Sequence, residues 1–187
     1  MKEIWENFEG WLNKNFKAGF NDLNLPATDN EITQLEAAIS TSLPQDFKAF
    51  LKIHNGQMSK AGWLIDGSEL LSSERIADEW GVWNGLLSGG DFEGITSEPD
   101  TGIKNDWWNP KWIPFTYDGS GNHLCLDLDP AEAGNIGQVI SMWHDDGERK
   151  IIAHSFAAWF QQYIDDLQSG KYVYNEDYEA VVNVNDI

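Results

Sequence analysis

Leu43-Pro-Gln-Asp-Phe-Lys-Ala-Phe-Leu-Lys-Ile-His-Asn-Gly56 is the stretch of sequence that decides the fold. Pro44 suits the first position of a helix, where its missing N–H removes no hydrogen bond. Phe47 and Phe50 then recur at helical spacing and predict one buried face. Gly56 ends the segment, because glycine readily adopts the left-handed conformation of a helix terminus. The stretch therefore predicts a short helix that aromatic side chains anchor in a core.

A second stretch, Trp112 to Leu167, predicts strands followed by a helix. The segment from His123 to Leu128 alternates between two faces, as a strand does. Ser155 precedes a run of apolar residues at helical spacing and is suited to cap that helix. The predicted strands are Trp112–Tyr117, His123–Leu128, Gln138–His144 and Ile151–Ala153. Together, the two stretches predict an α+β fold: a single domain with a central curved, mostly antiparallel (mixed) sheet flanked by helices.

The rest of the chain divides around this domain. Residues 1–27 predict an N-terminal amphipathic helical extension packed on the domain, because apolar and aromatic residues recur there at helical spacing. Thr28 and Glu31 form a capping-box pattern at the start of the next helix. Residues 88–111 are rich in Gly, Asp and Asn and predict a long loop. Residues 168–187 form a C-terminal tail with weak strand signals.

The charge balance limits the class of partner. The 187 residues include 31 acidic and 12 basic side chains, a net charge of −19. Such a charge opposes binding to nucleic acid and to anionic membranes, and favours a basic protein partner. Good solubility is the alternative explanation of the charge. The acidic N-terminus and the absence of a long apolar run predict a soluble cytoplasmic protein.

No group of residues predicts a reaction. Cys125, the single cysteine, is expected to be a small buried hydrophobe, and its strand neighbour His123 lies too far along the strand for direct proton transfer. The turn at 118–122 lacks the further acids and the final Glu of a calcium loop. His144 with the acids after it predicts a solvated hairpin turn rather than a metal site. We therefore expect no catalytic residues, no metal and no cofactor.

Two features are candidate binding elements. The first is Asp106-Trp107-Trp108 in the long loop, because tryptophan is enriched where proteins bind each other. The alternative is that the two Trp side chains fold back onto the core. The second is a set of acids at hairpin ends, expected to gather at the rims of the sheet: Asp118, Asp129, Asp145, Asp146 and Glu148. The alternative for this set is plain solvation.

The order and spacing of these segments resemble the SUKH superfamily over roughly residues 28–167. The first segment carries the resemblance through Leu43-Pro44, Phe47, Phe50, Leu51 and Asn55-Gly56. The second carries it through Trp112-Ile-Pro114, Asp118-Gly-Ser-Gly121, Leu126-Asp127, Gly137-Gln-Val139, Ala153-His-Ser-Phe156 and Trp159. The resemblance implies an α+β domain and a binding protein without shared catalytic residues.

The resemblance leaves two functions open. The founding fungal members of the superfamily regulate cell-wall assembly, and many bacterial members resemble immunity proteins against secreted toxins. With the net charge of −19, we expect first a non-enzymatic immunity protein that neutralises a basic toxin domain, such as a nuclease. The alternative is a regulatory scaffold that resembles the cell-wall assembly regulators. An enzyme is the least favoured class.

Overall fold

The computed structural model describes all residues from Met1 to Ile187. The helices are α1 (Lys2–Asn15), α2 (Lys17–Asn21), α3 (Asp29–Ala38), α4 (Gln45–Leu51), α5 (Ser73–Gly89) and α6 (Phe156–Ser169). The first strands are β1 (Glu69–Leu70), β2 (Glu98–Pro99), β3 (Trp112–Pro114), β4 (Thr116–Tyr117) and β5 (His123–Asp127). The others are β6 (Gln138–Met142), β7 (Glu148–Arg149), β8 (Ile151–Ala153), β9 (Tyr172–Asn175) and β10 (Ala180–Asn183).

The central sheet has four antiparallel strands in the order β3-β5-β6-β8. Cys125 of β5 lies between Pro114 of β3 and Ile140 of β6, which fixes the register. Three small two-stranded sheets surround it: β1 with β4, β9 with β10, and the parallel pair β2 and β7. Helices and mostly antiparallel strands thus form one domain, and the predicted α+β class is confirmed.

The main core lies on one face of the central sheet. Phe50 of α4 stacks on Trp5 of α1 with ring centroids 4.7 Å apart, and meets Phe156 and Phe160 of α6 edge-on. The Trp5 indole N–H also donates to the Phe50 carbonyl oxygen, at 3.2 Å. Ile113 contributes to this core from the sheet. Three helices and the sheet therefore meet around the aromatic segment Leu43–Gly56.

The opposite face of the same sheet is also covered. Trp112, Cys125, Ile140 and Met142 point there, where they join Trp83 of α5 and two residues of the long loop, Ile103 and Trp108. This second core explains why β6 is buried at every position. The loop between α5 and β3 is therefore a structural layer over the sheet, and it includes the short strand β2.

Local signals set most helix ends as expected, but α4 ends at Leu51 with Lys52 in the right-handed conformation, well before the expected stop at Gly56. The Thr28 and Glu31 side chains form the capping box of α3. Ser155 accepts a hydrogen bond from the backbone N–H of Ala158 at the start of α6. Pro44 occupies the N-cap of α4 rather than its first helical position. The segment expected as one strand, Trp112–Tyr117, is split into β3 and β4, because β4 leaves the central sheet to pair with β1.

Helix α1 is part of the main core. Its residues Trp5, Phe8 and Leu12 are fully buried, and Trp11 donates a hydrogen bond from its indole N–H to the carbonyl oxygen of Leu167 in α6, at 3.1 Å. At the other end of the chain, Val181 of β10 is fully buried in the same core. The division into an extension, a domain and a tail stays a prediction, but both chain ends contribute core residues.

We predict that Phe50→Ala lowers the free energy of unfolding by roughly 3–5 kcal/mol, because the lost ring leaves a cavity among Trp5, Phe156 and Phe160. Denaturant melts measure the change. The matched control is Leu25→Ala, since Leu25 is 85% exposed and its loss should cost under about 0.5 kcal/mol. A cost under about 1 kcal/mol for Phe50→Ala would contradict the packing described here.

Candidate functional site

A cleft with a volume of about 490 Å³ opens beside the second core. Helix α5 forms one wall with Val82 and Leu86, and the loop contributes Phe92 and Trp107. The turn between β4 and β5 closes the other side together with His144. Val82 and Leu86 are 59% and 38% exposed, so the α5 wall presents apolar surface to solvent. The cleft is the most apolar concave surface that several chain segments build together, and we take it as the candidate site.

Arg149 of β7 holds the Trp107 wall in place. Its guanidinium lies 5.1 Å from the centroid of the Trp107 ring, and Nη2 donates a hydrogen bond to the Trp107 carbonyl oxygen at 3.0 Å. Nη1 donates to the carbonyl oxygens of Asp146 and Glu148. One side chain therefore joins the long loop to the turn before β7.

The Arg149 side chain is fully buried and forms no ion pair with a carboxylate. Its charge is met by three backbone carbonyl oxygens and by the faces of two rings, Trp107 and Trp112. Burial lowers the pKa of Arg149 from its usual value, although the nearby Cys125 and Asp146 act in the opposite direction. An arginine keeps its charge under all ordinary conditions, so these contacts offset part of the cost of burying it, while its Nε–H has no hydrogen-bond partner.

The turn opposite α5 is held by one carboxylate. Asp118 accepts hydrogen bonds from the backbone N–H and hydroxyl of Ser120, and from the backbone and side-chain N–H groups of Asn122. Burial opposes ionisation of Asp118, but these bonds outweigh it and lower its pKa. Asn122 in turn accepts a hydrogen bond from the backbone N–H of His144, at 2.9 Å. The two turns at this end of the sheet are thus joined.

The structure brings together four of the five predicted rim acids. Asp145, Asp146 and Glu148 are exposed in the turn before β7 and its first residue, and the Asp118 turn lies beside them. Asp129 lies at the other end of β5, where it pairs with Lys104 at 2.6 Å. The five acids therefore lie at two rims of the sheet, because β5 separates Asp129 from Asp118. Their role in binding stays a prediction.

The two predicted tryptophan anchors have different surroundings. Trp108 is only 2% exposed, stacks on Trp83 and meets Trp112 edge-on. A side chain so enclosed cannot be a surface anchor, so this expectation is corrected in favour of the alternative, in which the ring folds onto the core. Trp107 is half-buried in the cleft wall, and Asp106 instead accepts a hydrogen bond from Asn109. Of the two tryptophans, only Trp107 is exposed enough to contact a partner.

His123 and Cys125 are both buried and already occupied. The His123 Nε2 atom accepts a hydrogen bond from the Trp83 indole N–H at 3.0 Å, which assigns the proton to Nδ1, and Nδ1 donates to the Thr116 carbonyl oxygen. Burial lowers the pKa of His123 to about 4. Burial also raises the pKa of the Cys125 thiol far above its usual value. Neither residue is placed to act as base or nucleophile.

Two further surveys of the structure concern metals and membranes. No group of three or more His, Cys, Asp or Glu side chains is arranged to hold a metal ion. None of the helices combines the length and the apolar character that crossing a membrane requires.

Sequence reasoning missed the α5 wall and Arg149. In the sequence, the spacing of Ile76, Trp80, Trp83 and Leu87 predicts the buried side of this helix. Val82 and Leu86 form a second apolar pair, four residues apart, outside that face. A second apolar stripe on an otherwise amphipathic helix is the signal that could have indicated a binding surface. For Arg149, its position directly after the acidic turn at 145–148 gave no sign of burial.

Residues 26–162 match the model of the SMI1/KNR4 family (SUKH-1). The chain belongs to this family. The resemblance to the SUKH superfamily is therefore confirmed. The match begins after α1 and α2 and ends within α6, so it includes α5, the long loop and every segment that lines the cleft.

Three fungal relatives are similar over nearly the whole chain. A Schizosaccharomyces pombe protein named cell wall biosynthesis/cell cycle regulator smi1 is 28% identical, over 95% of this chain and 38% of its own length. The Neurospora crassa glucan synthesis regulatory protein is 27% identical, over 92% and 39%. The Saccharomyces cerevisiae cell wall assembly regulator SMI1 is 24% identical, over 93% and 42%. The chain thus spans about two fifths of the length of these relatives.

We predict that Arg149→Met lowers the free energy of unfolding by roughly 2–4 kcal/mol, because three carbonyl oxygens lose their donors and two rings lose their cation. Denaturant melts measure the cost, and amide hydrogen exchange should show its effect first in the loop around Trp107. Lys150→Met is the matched control, since Lys150 is exposed and pairs only with Glu148. Equal stability of the two variants would show that Arg149 does not hold this loop.

We predict that protonation of His123 destabilises the fold at acid pH. The pKa is lowered from 6.5 to about 4 in the folded protein, so the unfolded chain binds the proton first. The stability that depends on neutral His123 is therefore complete above about pH 6.5 and is lost as the pH falls toward 4, by about 3 kcal/mol. Denaturant melts between pH 7 and pH 4 should show a shallower loss in His123→Gln than in the wild type. Parallel curves would contradict the prediction.

Proposed function

We propose that this chain is a regulatory protein-binding module of the kind found in cell-wall assembly regulators. The observation that carries the proposal is the match to the SMI1/KNR4 family, together with relatives whose names describe regulators of glucan synthesis and cell-wall assembly. Of the two functions left open by the sequence, the regulatory scaffold is the better supported, since none of these names describes immunity.

The geometry supports binding rather than catalysis as the activity. The cleft presents exposed apolar walls, and the polar side chains next to its lining residues, His123 and Asp118, already have hydrogen-bond partners. Such a site can bury a partner's side chain but offers no free nucleophile. The net charge of −19 favours a basic partner, because opposite charges speed the encounter of two proteins. We propose a protein partner in the cytoplasm.

An immunity function is the second candidate, and the charge is the observation that favours it. A nuclease toxin must hold phosphates and therefore has a basic cleft that an acidic protein can fill. The discriminating test is co-purification with the product of the neighbouring gene, followed by an assay of that product with and without this chain. Stoichiometric inhibition of a toxin would replace the regulatory proposal.

We predict that the chain can replace the matching segment of the S. cerevisiae cell wall assembly regulator SMI1. A yeast strain lacking that protein would receive a chimera in which this chain takes the place of the similar segment. We expect growth on a cell-wall-binding dye to be restored, because the module would supply the regulatory contacts. The protein with the segment deleted is the negative control.

The same chimera carrying Phe50→Ala should lose function together with stability, whereas Leu25→Gln should retain it, because Leu25 is 85% exposed and outside the cleft. If the chimera is folded and present at normal levels but behaves like the segment deletion, the proposed function is wrong.

A further inference from the structure

We propose that the cleft between α5 and the 118–121 turn binds a basic peptide segment, with an apolar side chain held between flanking Lys or Arg residues. The inference rests on the proposed function, for which it supplies the class of partner. It also specifies a binding surface: the α5 wall of Val82 and Leu86, the loop residues Phe92 and Trp107, and the acidic turns beside them.

The apolar residues of the α5 wall are not needed to cover the second core. Trp83 on the same helix already covers the second core, and it is only 6% exposed. Val82 and Leu86 lie to one side of it and face the cleft, where they are 59% and 38% exposed. Both side chains therefore leave part of their apolar surface open to solvent. An apolar surface of this kind gains most of its burial when another molecule covers it.

The size of the cleft fits a few side chains of a peptide. Its volume of about 490 Å³ falls within the range of about 300–1,000 Å³ in which binding pockets occur. Four separate segments of the chain build it, so its walls converge on a bound side chain from several directions. A site of this shape can enclose one or two apolar side chains of a peptide, whereas a flat surface of a folded partner would not enter it.

The walls are held in place before any partner arrives. Arg149 fixes Trp107 through a hydrogen bond to its carbonyl oxygen and through its position over the ring. Asp118 closes the opposite turn, and Asn122 joins that turn to His144. A preformed site loses little conformational entropy on binding, and this improves affinity.

The charges around the cleft select the sign of the partner. Asp145 and Asp146 lie exposed beside the wall at His144, and Asp91 and Glu93 flank Phe92. The cations nearby are already engaged: Arg75 pairs with Glu69 and Glu79, and Lys150 pairs with Glu148. The third, Arg149, is buried. The accessible charge at the rim is therefore negative, and Lys or Arg beside the anchor would complement it.

The same charge disfavours other occupants. A second copy of this chain would bring another 31 acidic side chains toward the rim, which opposes self-association there. Nucleic acids and anionic lipid surfaces would be repelled in the same way. A basic peptide is the one class that gains from both the apolar walls and the acidic rim.

Selection from a library of random dodecapeptides displayed on phage tests the proposal with the full chain immobilised. We expect the enriched peptides to carry net positive charge and at least one Leu, Ile, Phe or Met. Synthetic copies of the enriched peptides are then measured by surface-binding kinetics against variants. Leu86→Gln should weaken binding by about tenfold, mainly through faster dissociation, because it removes an apolar wall. Leu25→Gln, an equal change at an exposed site elsewhere, should leave the affinity unchanged.

A second pair of variants tests the rim. Asp145→Asn with Asp146→Asn should slow association and reduce its dependence on salt, because rim charges act mainly on the encounter. Glu3→Gln with Glu6→Gln removes the same charge from exposed positions of α1 and should have little effect. Melting curves of all variants check that each is folded.

Three results would overturn the proposal: no enrichment, enrichment of acidic or uncharged peptides, or equal binding by Leu86→Gln and the wild type. The yeast chimera separates this inference from the proposed function. If the chimera restores growth but no peptide binds the cleft, the cleft assignment is wrong and the regulatory function stands. If peptides bind the cleft but the chimera fails, the binding site stands and the regulatory function is wrong.

Discussion

The central sheet is buried on both faces, and the rest of the structure depends on this constraint. Strand β6 has no exposed position, and its Val139 and Ile140 belong to opposite cores. Helices cover one face, as in many α+β domains. The other face needs its own cover, which α5 and the long loop provide through Trp83 and Trp108. The loop is therefore long because it has a sheet to cover.

This covering layer is also where the chain presents a surface for recognition. Arg149 lies beneath it, and its buried charge is balanced by carbonyl oxygens of the loop and of the turn before β7. A buried charge is costly, and because Nε of Arg149 has no partner, only the hydrogen bonds from Nη1 and Nη2 offset that cost, in this one geometry. The arrangement therefore favours one conformation of Trp107, and with it one shape of the cleft. Stability of the layer and shape of the site depend on the same side chain.

The sequence predicted what depends on neighbours along the chain. The helical spacing of Phe50 predicts a buried helix face, and Ser155 before an apolar run predicts a helix cap. Both predictions agree with the structure. The cleft could not be predicted in this way, because its walls come from positions as distant as Glu79 and His144. The same limit applies to Trp108. Most residues around it in the chain are polar, and its burial becomes evident only when the second face of the sheet is known to pack against the loop. Asp118 and Asp129 precede and follow the same strand, so their separation follows from the sequence, whereas the approach of the Asp118 turn to His144 depends on the pairing of β5 with β6.

The contact between α1 and α6 has a consequence for the order of events during synthesis. Trp11 and its hydrogen-bond acceptor Leu167 are separated by 156 residues. A ribosome that adds about 5–20 residues per second needs roughly 8–31 s to synthesise those residues. During this interval, the aromatic stripe of α1 lacks the helix that covers it and is free to contact other nascent chains. Contacts between distant residues also slow folding itself. The yield of folded protein should therefore depend on the rate of translation and on the supply of chaperones, and not only on the stability of the folded state.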